Sequence, residues 1–199
     1  MAGFKSEYPA GMNRNPQEGL LPMQDEDFLR RPPAPRPYQP NAAVLHVSPG
    51  AVKATCELLQ RAGRNEACVF WYGERDGELW HVRSVRAPVQ TSYRGNYHVE
   101  PDAMSQMVRD LPDGWRPLSQ IHSHPGIGTE HSRYDDRMVS SRKILSIVFP
   151  LYGKPVGKWP DGLGVHEWQI DYWHMLSPEQ VRARLSLREV DGLEVRDFR

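Results

Sequence analysis

The chain is short of everything that would tie it to a bilayer, an oxidising compartment or a polyanion. Its longest mostly apolar run, Ile144 to Tyr152, falls far below the roughly 20 residues a helix needs to span hydrocarbon, so no membrane association is expected. Two cysteines, Cys56 and Cys68, allow one disulfide at most, and no charged-then-apolar leader stands at the N-terminus, which makes a reducing cytoplasm the expected compartment. Lys plus Arg and Asp plus Glu both number 25; without a global field, nucleic acid is not an expected partner either. Internal repeats are lacking too. What remains, in 199 residues, suits one domain with a real core and a tail.

Residues 1–43 hold eight of the 18 prolines, five acidic and five basic side chains, and hydrophobes without period. Such a segment cannot pack a core alone and reads as a disordered, proline-rich N-terminal tail. Arg30-Arg31-Pro32-Pro33-Ala34-Pro35-Arg36-Pro37 favours extended polyproline conformation. Upstream, Leu20-Leu21-Pro22-Met23 and Phe28-Leu29 suit short docking elements for a partner, with an inert leader as the alternative. The domain proper is expected over 44–190, followed by a C-terminal tail, 191–199.

Ser48 and Pro49 supply an N-cap and first-turn proline for a helix carrying Val52, Cys56 and Leu59 on one face and ending at Gly63. Ala67–Tyr72 and Leu79–Val85 form a hairpin about Gly-Glu-Arg-Asp-Gly, with Glu66 at its entrance. A strand near Tyr97–Val99 precedes Pro101, after which Met104, Met107, Val108 and Leu111 keep helical spacing until Pro112 and Gly114 stop it. Leu118–His124 reads as a strand and Ser132 opens a helix bearing Met138 and Val139. Ile144–Phe149 has the continuous apolar character of a central strand and Val165–Ile170 of a more amphipathic one, and a last helix is capped by Ser177, Pro178 and Gln180. Strands interleaved with helices on a mixed sheet give an α/β or α+β sandwich.

Residues 119–136 read Ser-Gln-Ile-His-Ser-His-Pro-Gly-Ile-Gly-Thr-Glu-His-Ser-Arg-Tyr-Asp-Asp. His122 and His124, one residue apart on a strand, point to the same side, and Asp135 can return through a turn to complete three metal ligands. Three protein ligands leave a fourth position open, the mark of a hydrolytic rather than structural zinc site. Ser132 with Asp135 is equally a capping box satisfying helix N-terminal amides. Capping alone leaves unexplained why two histidines and a proline end the preceding strand.

His122-Ser123-His124-Pro125, with Ser132 and Asp135 following at the matching intervals, resembles the JAMM motif of the JAB/MPN metalloprotease family, and every motif position is filled. Glu66, seven residues before Gly73, matches the glutamate at the start of the family's early strand. Looser matches extend the resemblance over roughly residues 44–175 and exclude the tail; Cys-Val-Phe-Trp-Tyr departs from the family's glycine-bearing strand. The resemblance implies a JAB1/MPN-type (cytidine-deaminase-like) sandwich, a central mixed sheet flanked by helices. It implies Zn2+ as cofactor, held by His122, His124 and Asp135, with Glu66 as general base and Ser132 aiding the oxyanion. Zinc lowers the pKa of a bound water to about 7, so no cysteine nucleophile is needed and Cys68 is a core residue. Glu74 is the rival base, in a turn. His131 and Asp136 stand beside the motif, their ordinary roles a solvated loop histidine and a first-turn acid; His46, His81, His98, His166 and His174 show no ligand spacing.

The implied activity is a peptidase or isopeptidase acting at the C-terminal tail of a ubiquitin-like protein or its conjugates. Val85–Tyr97 falls where relatives carry a tail-covering insert, and the Tyr152–Gly164 loop where leaving-chain contacts are expected. The prokaryotic look of the domain adds activating- and conjugating-enzyme-like proteins as partners, through the N-terminal tail, in a bacterial modification or antiphage-defence system. Three alternatives stand beside it. A metal-free MPN-type scaffold lacks such ligands; a RadC-like protein typically has asparagine between the histidines; a hydrolase freeing a small adduct from a sulfur-carrier protein shares the motif. Since residues 1–40 supply no motif residue, their deletion is expected to spare cleavage of a small substrate.

Overall fold

The computed structural model describes residues 31–189 and 191–199; the expected docking elements at 20–23 and 28–29 lie outside them. In chain order the elements are β1 (Val44–Val47), α1 (Pro49–Gln60), β2 (Cys68–Asp76), β3 (Leu79–Ala87), β4 (Thr91–Ser92), β5 (Tyr97–His98), α2 (Pro101–Val108), β6 (Arg116–Ser123) and α3 (Arg133–Met138). β7 (Leu145–Phe149), a short 3-10 turn (Leu151–Gly153), β8 (Gly164–Gln169), β9 (Tyr172–Met175), α4 (Pro178–Arg184), β10 (Leu185–Leu187) and β11 (Glu194–Asp197) complete them.

Nine strands form one mixed sheet ordered β10-β1-β3-β2-β6-β7-β8-β9, with β11 also on β3; β4 and β5 make a separate two-stranded ladder. β1 runs parallel to the first half of β3, at Leu79–His81, and β11 parallel to its second half, at Ser84–Ala87. β2 is antiparallel to both β3 and β6, whereas β6 and β7 are parallel. The end of β6 therefore lies beside the start of β2 and the end of β7, and the loops leaving β6 and β7 meet there.

The alternation of β2 makes this a two-sided core. Val69 and Trp71 face the larger cluster, under α1, with Leu45, Leu59, Val85, Ile121 and Ile147; Cys68, Phe70 and Tyr72 face a smaller one with Tyr97 and Met107 of α2. A strand buried on both sides is apolar throughout, which is why the Cys-Val-Phe-Trp-Tyr run fits here. Trp71 satisfies its indole by donating to Thr55 Oγ1 at 2.8 Å, and Ser48 caps α1 as expected.

Several expectations are corrected. β2 continues to Asp76, so Gly73 lies inside it, at a register shift where a Cβ would come 1.9 Å from the His81 carbonyl oxygen. Glu74 is thus a strand residue, its carboxylate accepting from Arg83 at 3.1 Å. Residues 191–199, expected as a tail, carry β11, locked by fully buried Arg86, whose Nη2 donates to Glu194 at 2.7 Å. Residues 31–43, expected as disordered tail, run as an arm along β8 and β9, with Tyr38 donating to Glu167 Oε1 at 2.6 Å and Gln169 Nε2 to the Gln39 carbonyl at 2.8 Å. No described helix is long and apolar enough to cross a membrane.

Candidate metal centre

His122 ends β6 one residue before its last, and because strand side chains alternate it shares a side with His124 just beyond. His124 is held after the strand by its own backbone: its N–H donates to the Phe149 carbonyl at 2.8 Å, and its carbonyl accepts from Tyr152 at 2.7 Å. Leu151 and Tyr152 adopt φ of 51° and 57°, left-handed conformations that side chains rarely take and that the surrounding contacts must hold. Here they turn the chain leaving β7 against the histidine loop, Leu151 also donating to the Gly126 carbonyl at 2.9 Å. On the other flank Gly164 lets β8 approach Thr129, where a Cβ would lie 2.3 Å from the Thr129 carbonyl oxygen.

Asp135 arrives through the first turn of α3. The two readings of Ser132 and Asp135 coexist: the Ser132 hydroxyl accepts from the Asp135 N–H at 3.1 Å, and the Ser132 N–H donates to Asp135 Oδ2 at 2.7 Å. The same box aims the carboxylate at both imidazoles. His122 Nε2 lies 3.1 Å from His124 Nε2 and 3.4 Å from Asp135 Oδ1, and His124 Nε2 lies 3.5 Å from Asp135 Oδ2. Bonds of 2.0–2.1 Å in a tetrahedral zinc site put neighbouring ligand atoms about 3.3 Å apart, so the spacing fits such an ion.

The protonation states of His122 and Asp135 fit as well. Burial pushes His122 down to about 4, leaving the neutral imidazole that a metal requires. Burial alone would raise Asp135, but the His122 and His124 imidazoles hold its carboxyl well below the ordinary carboxylate range. His124 Nδ1 donates to the Gly128 carbonyl at 3.0 Å, which leaves Nε2 as the lone-pair nitrogen. Among the described residues these three form a group able to hold a metal ion.

Glu66 reaches the same place from the neighbouring strand. The antiparallel register that pairs Cys68 with His122, extended by the Ala67 and Ser123 backbone bond of 3.0 Å, brings Glu66 level with His124. Its carboxyl is buried and pushed up to about 8 by that burial, with His124 opposing and Asp135 adding to the shift. Glu74 is excluded as a partner, since it lies six positions beyond Cys68 along an extended strand, roughly 20 Å away.

Ser132 Oγ donates to Asp135 Oδ2 at 2.8 Å, so its proton is committed to a candidate ligand carboxylate. Other residues depart from expectation. His131 is buried, not solvated: Nδ1 meets Asp136 Oδ1 and Nε2 meets Ser146 Oγ, both at 2.9 Å. His166, which had no ligand spacing, stacks on His131 with centroids 3.7 Å apart. Burial holds both rings well below the ordinary histidine range. Arg31 completes this network by donating from Nε to Asp136 Oδ2 at 2.9 Å; a basic residue in a proline run carries no sign of an acid 105 positions away.

A family model described as prokaryotic homologs of the JAB domain matches residues 49–171. The solution structure of protein DSY2949 from Desulfitobacterium hafniense is similar at a TM-score of 0.54 and 20% identity, covering 74% of this chain and 94% of that one. AF2198, a JAB1/MPN domain protein from Archaeoglobus fulgidus, is similar at a TM-score of 0.40 and 13% identity, covering 73% of this chain and 99% of that one. No curated protein matches.

Proposed function

The chain belongs to the prokaryotic homologs of the JAB domain, and on that premise we propose that it is a zinc-dependent peptidase or isopeptidase cleaving after the C-terminal tail of a ubiquitin-like protein. The observation that carries this reading is the convergence of His122, His124 and Asp135 at tetrahedral spacing with the buried carboxyl of Glu66 beside them. His122, His124 and Asp135 would hold the zinc, which would supply a Lewis acid and lower the pKa of a water to about 7. Glu66 takes a proton at its carboxylate and returns it to the leaving amine. Glu66 would be favoured in its ionised form by a dication held at those ligands, which would offset the upward push of burial. Ser132 holds Asp135 in place; to assist a developing oxyanion its hydroxyl proton would change acceptor.

An extended, glycine-rich modifier tail suits addition beside a strand, with small residues passing over the metal. The 85–97 segment is suited to cover it, since the Glu66 N–H donates to the Tyr93 carbonyl at 2.7 Å and so ties that segment to the base. The leaving chain would exit along the 152–164 loop. Activating- and conjugating-enzyme-like proteins of a bacterial ubiquitin-like modification or antiphage-defence system are the partners this activity calls for, in the cytoplasm.

The test is cleavage of a ubiquitin-like protein fused through its C-terminus to a reporter, with Zn2+ or chelator present. Zinc-dependent release of the reporter supports the reading. Zinc binding without release would turn the assignment towards a small-adduct hydrolase, and failure to bind zinc towards a metal-free scaffold.

A further inference from the structure

The metal-bearing helix is too short to hold itself. α3 has six residues, below the roughly 12–15 at which an isolated helix becomes even marginal, so tertiary contacts must set its rotation. That rotation matters, because a turn of about 20° moves a side-chain tip at the 5–6 Å helix radius by about 2 Å. Metal–ligand bonds tolerate about 0.2 Å.

Consecutive helical residues project about 100° apart, and the two acids of the first turn divide the work. Asp135 faces the two histidines, while Asp136 accepts from His131 Nδ1 through one oxygen and from Arg31 Nε through the other, each at 2.9 Å. Behind His131 stands Ser146 of β7, at 2.9 Å from Nε2. Arg31 is itself fixed: Nη2 donates to the Trp173 carbonyl at 2.8 Å, and the guanidinium lies 4.3 Å from the centre of the Tyr172 ring. The arm behind it is pinned by Tyr172, whose hydroxyl donates to the Pro32 carbonyl at 3.0 Å, and by Tyr38, stacked on His174 at 3.9 Å. A guanidinium gripping a half-buried carboxylate is a strong, directional contact.

We propose that Arg31 is a positioning residue for the metal centre: by holding Asp136 it helps set the rotation of α3, alongside the Ser132 capping box and the bonds of Tyr134 to the Tyr97 carbonyl and of Gln120 to the Met138 carbonyl, and thereby places Asp135 among the ligands. The inference rests on the metal-centre reading of His122, His124 and Asp135. It also moves the boundary of the working domain, since an arm beginning at Arg31 belongs to it. Deleting residues 1–40, expected from sequence to be harmless, removes the grip, whereas deleting residues 1–30 spares it.

The experiment compares the full chain with Arg31→Ala, Arg31→Lys and the two truncations. The readouts are Zn2+ affinity by chelator competition, the visible spectrum of the Co2+-loaded protein and the Tm of the metal-free protein. Arg31→Ala and loss of residues 1–40 should weaken Zn2+ binding about 10- to 100-fold and alter the Co2+ spectrum; the metal-free Tm should be nearly unchanged in Arg31→Ala and lower in the truncation, which also strips Tyr38 from Glu167 and His174. Arg31→Lys, which lacks the fork that reaches Asp136 and the Trp173 carbonyl together, should recover only part. Loss of residues 1–30 should change nothing. Unchanged affinity and spectrum in Arg31→Ala overturn the proposal, as does a loss of affinity in that variant that merely follows a fallen Tm. His122→Ala is the separate control: if it binds Zn2+ as the full chain does, the metal-centre reading itself fails.

Discussion

Glu66 must satisfy two opposed demands. A general base has to be ionised, yet burial pushes this carboxyl up to about 8 from an ordinary value near 4.5. Without metal, the folded state therefore holds a proton that the unfolded state releases above about 4.5, so the contribution of this group to stability is full below that pH and is lost as pH rises through about 8. Glu66→Gln, neutral and of the same shape, avoids this loss. Urea unfolding of chelator-treated protein should show Glu66→Gln gaining on wild type between pH 5 and 8.5, and a gap that stays constant with pH would refute the burial argument. The same variant should retain zinc by atomic absorption while losing about 10²- to 10⁴-fold in turnover. Full activity would move the base elsewhere. At this scale the sequence was informative: the candidate ligands were legible because strand alternation and a capping box are local geometries, whereas Glu66 was named only through its resemblance to the family's early-strand glutamate. His131, His166 and Arg31 were not legible, since none sits at a ligand interval.

Elements show the opposite balance. The central strands and α1 were legible from apolar runs and caps, but β11 was not, because four residues reading Glu-Val-Arg-Asp carry no burial signal. What makes them a strand is a partner: β3 offers its second half, and Arg86, fully buried, requires an anion. Removing one side of such a pair leaves an uncompensated charge. Glu194→Ala should cost about 3 kcal/mol, the low end of the roughly 3–5 kcal/mol for breaking a buried pair because Glu194 is partly exposed, read as a lower urea midpoint with an unchanged m value. A loss within about 0.5 kcal/mol, ordinary for a surface substitution, would mean that β11 is held by its backbone alone. The hairpin was misjudged for a related reason: Gly73 and Gly77 look like two ends of one turn, but only the approach of the His81 carbonyl reveals that Gly73 is a strand glycine.

For the molecule as a whole, the candidate ligands join the end of β6 to α3, so an ion bound there should act as a staple between the sheet and its flanking helix. Ligand binding to the native state alone stabilises by RT ln(1 + [L]/Kd), about 2.7 kcal/mol at 100 Kd. Zinc should therefore raise the Tm of the wild-type chain, and a chelator should reverse the rise. His122→Ala and Asp135→Ala should lose both the bound metal and the response. A zinc-induced rise persisting in both variants would place the binding elsewhere, for example at exposed histidines.

Sequence by itself determined the apolar central strands, the cap at Ser132 and the candidate ligands, because alternation, capping and apolar runs act between residues a few positions apart. Only tertiary structure decided that Glu66 stands level with His124, that the last residues close the sheet on Arg86, and that an arm of proline and arginine reaches the acid next to Asp135. Those contacts join residues with no local relation, and they are selected by register, burial and the need of each buried charge for a partner.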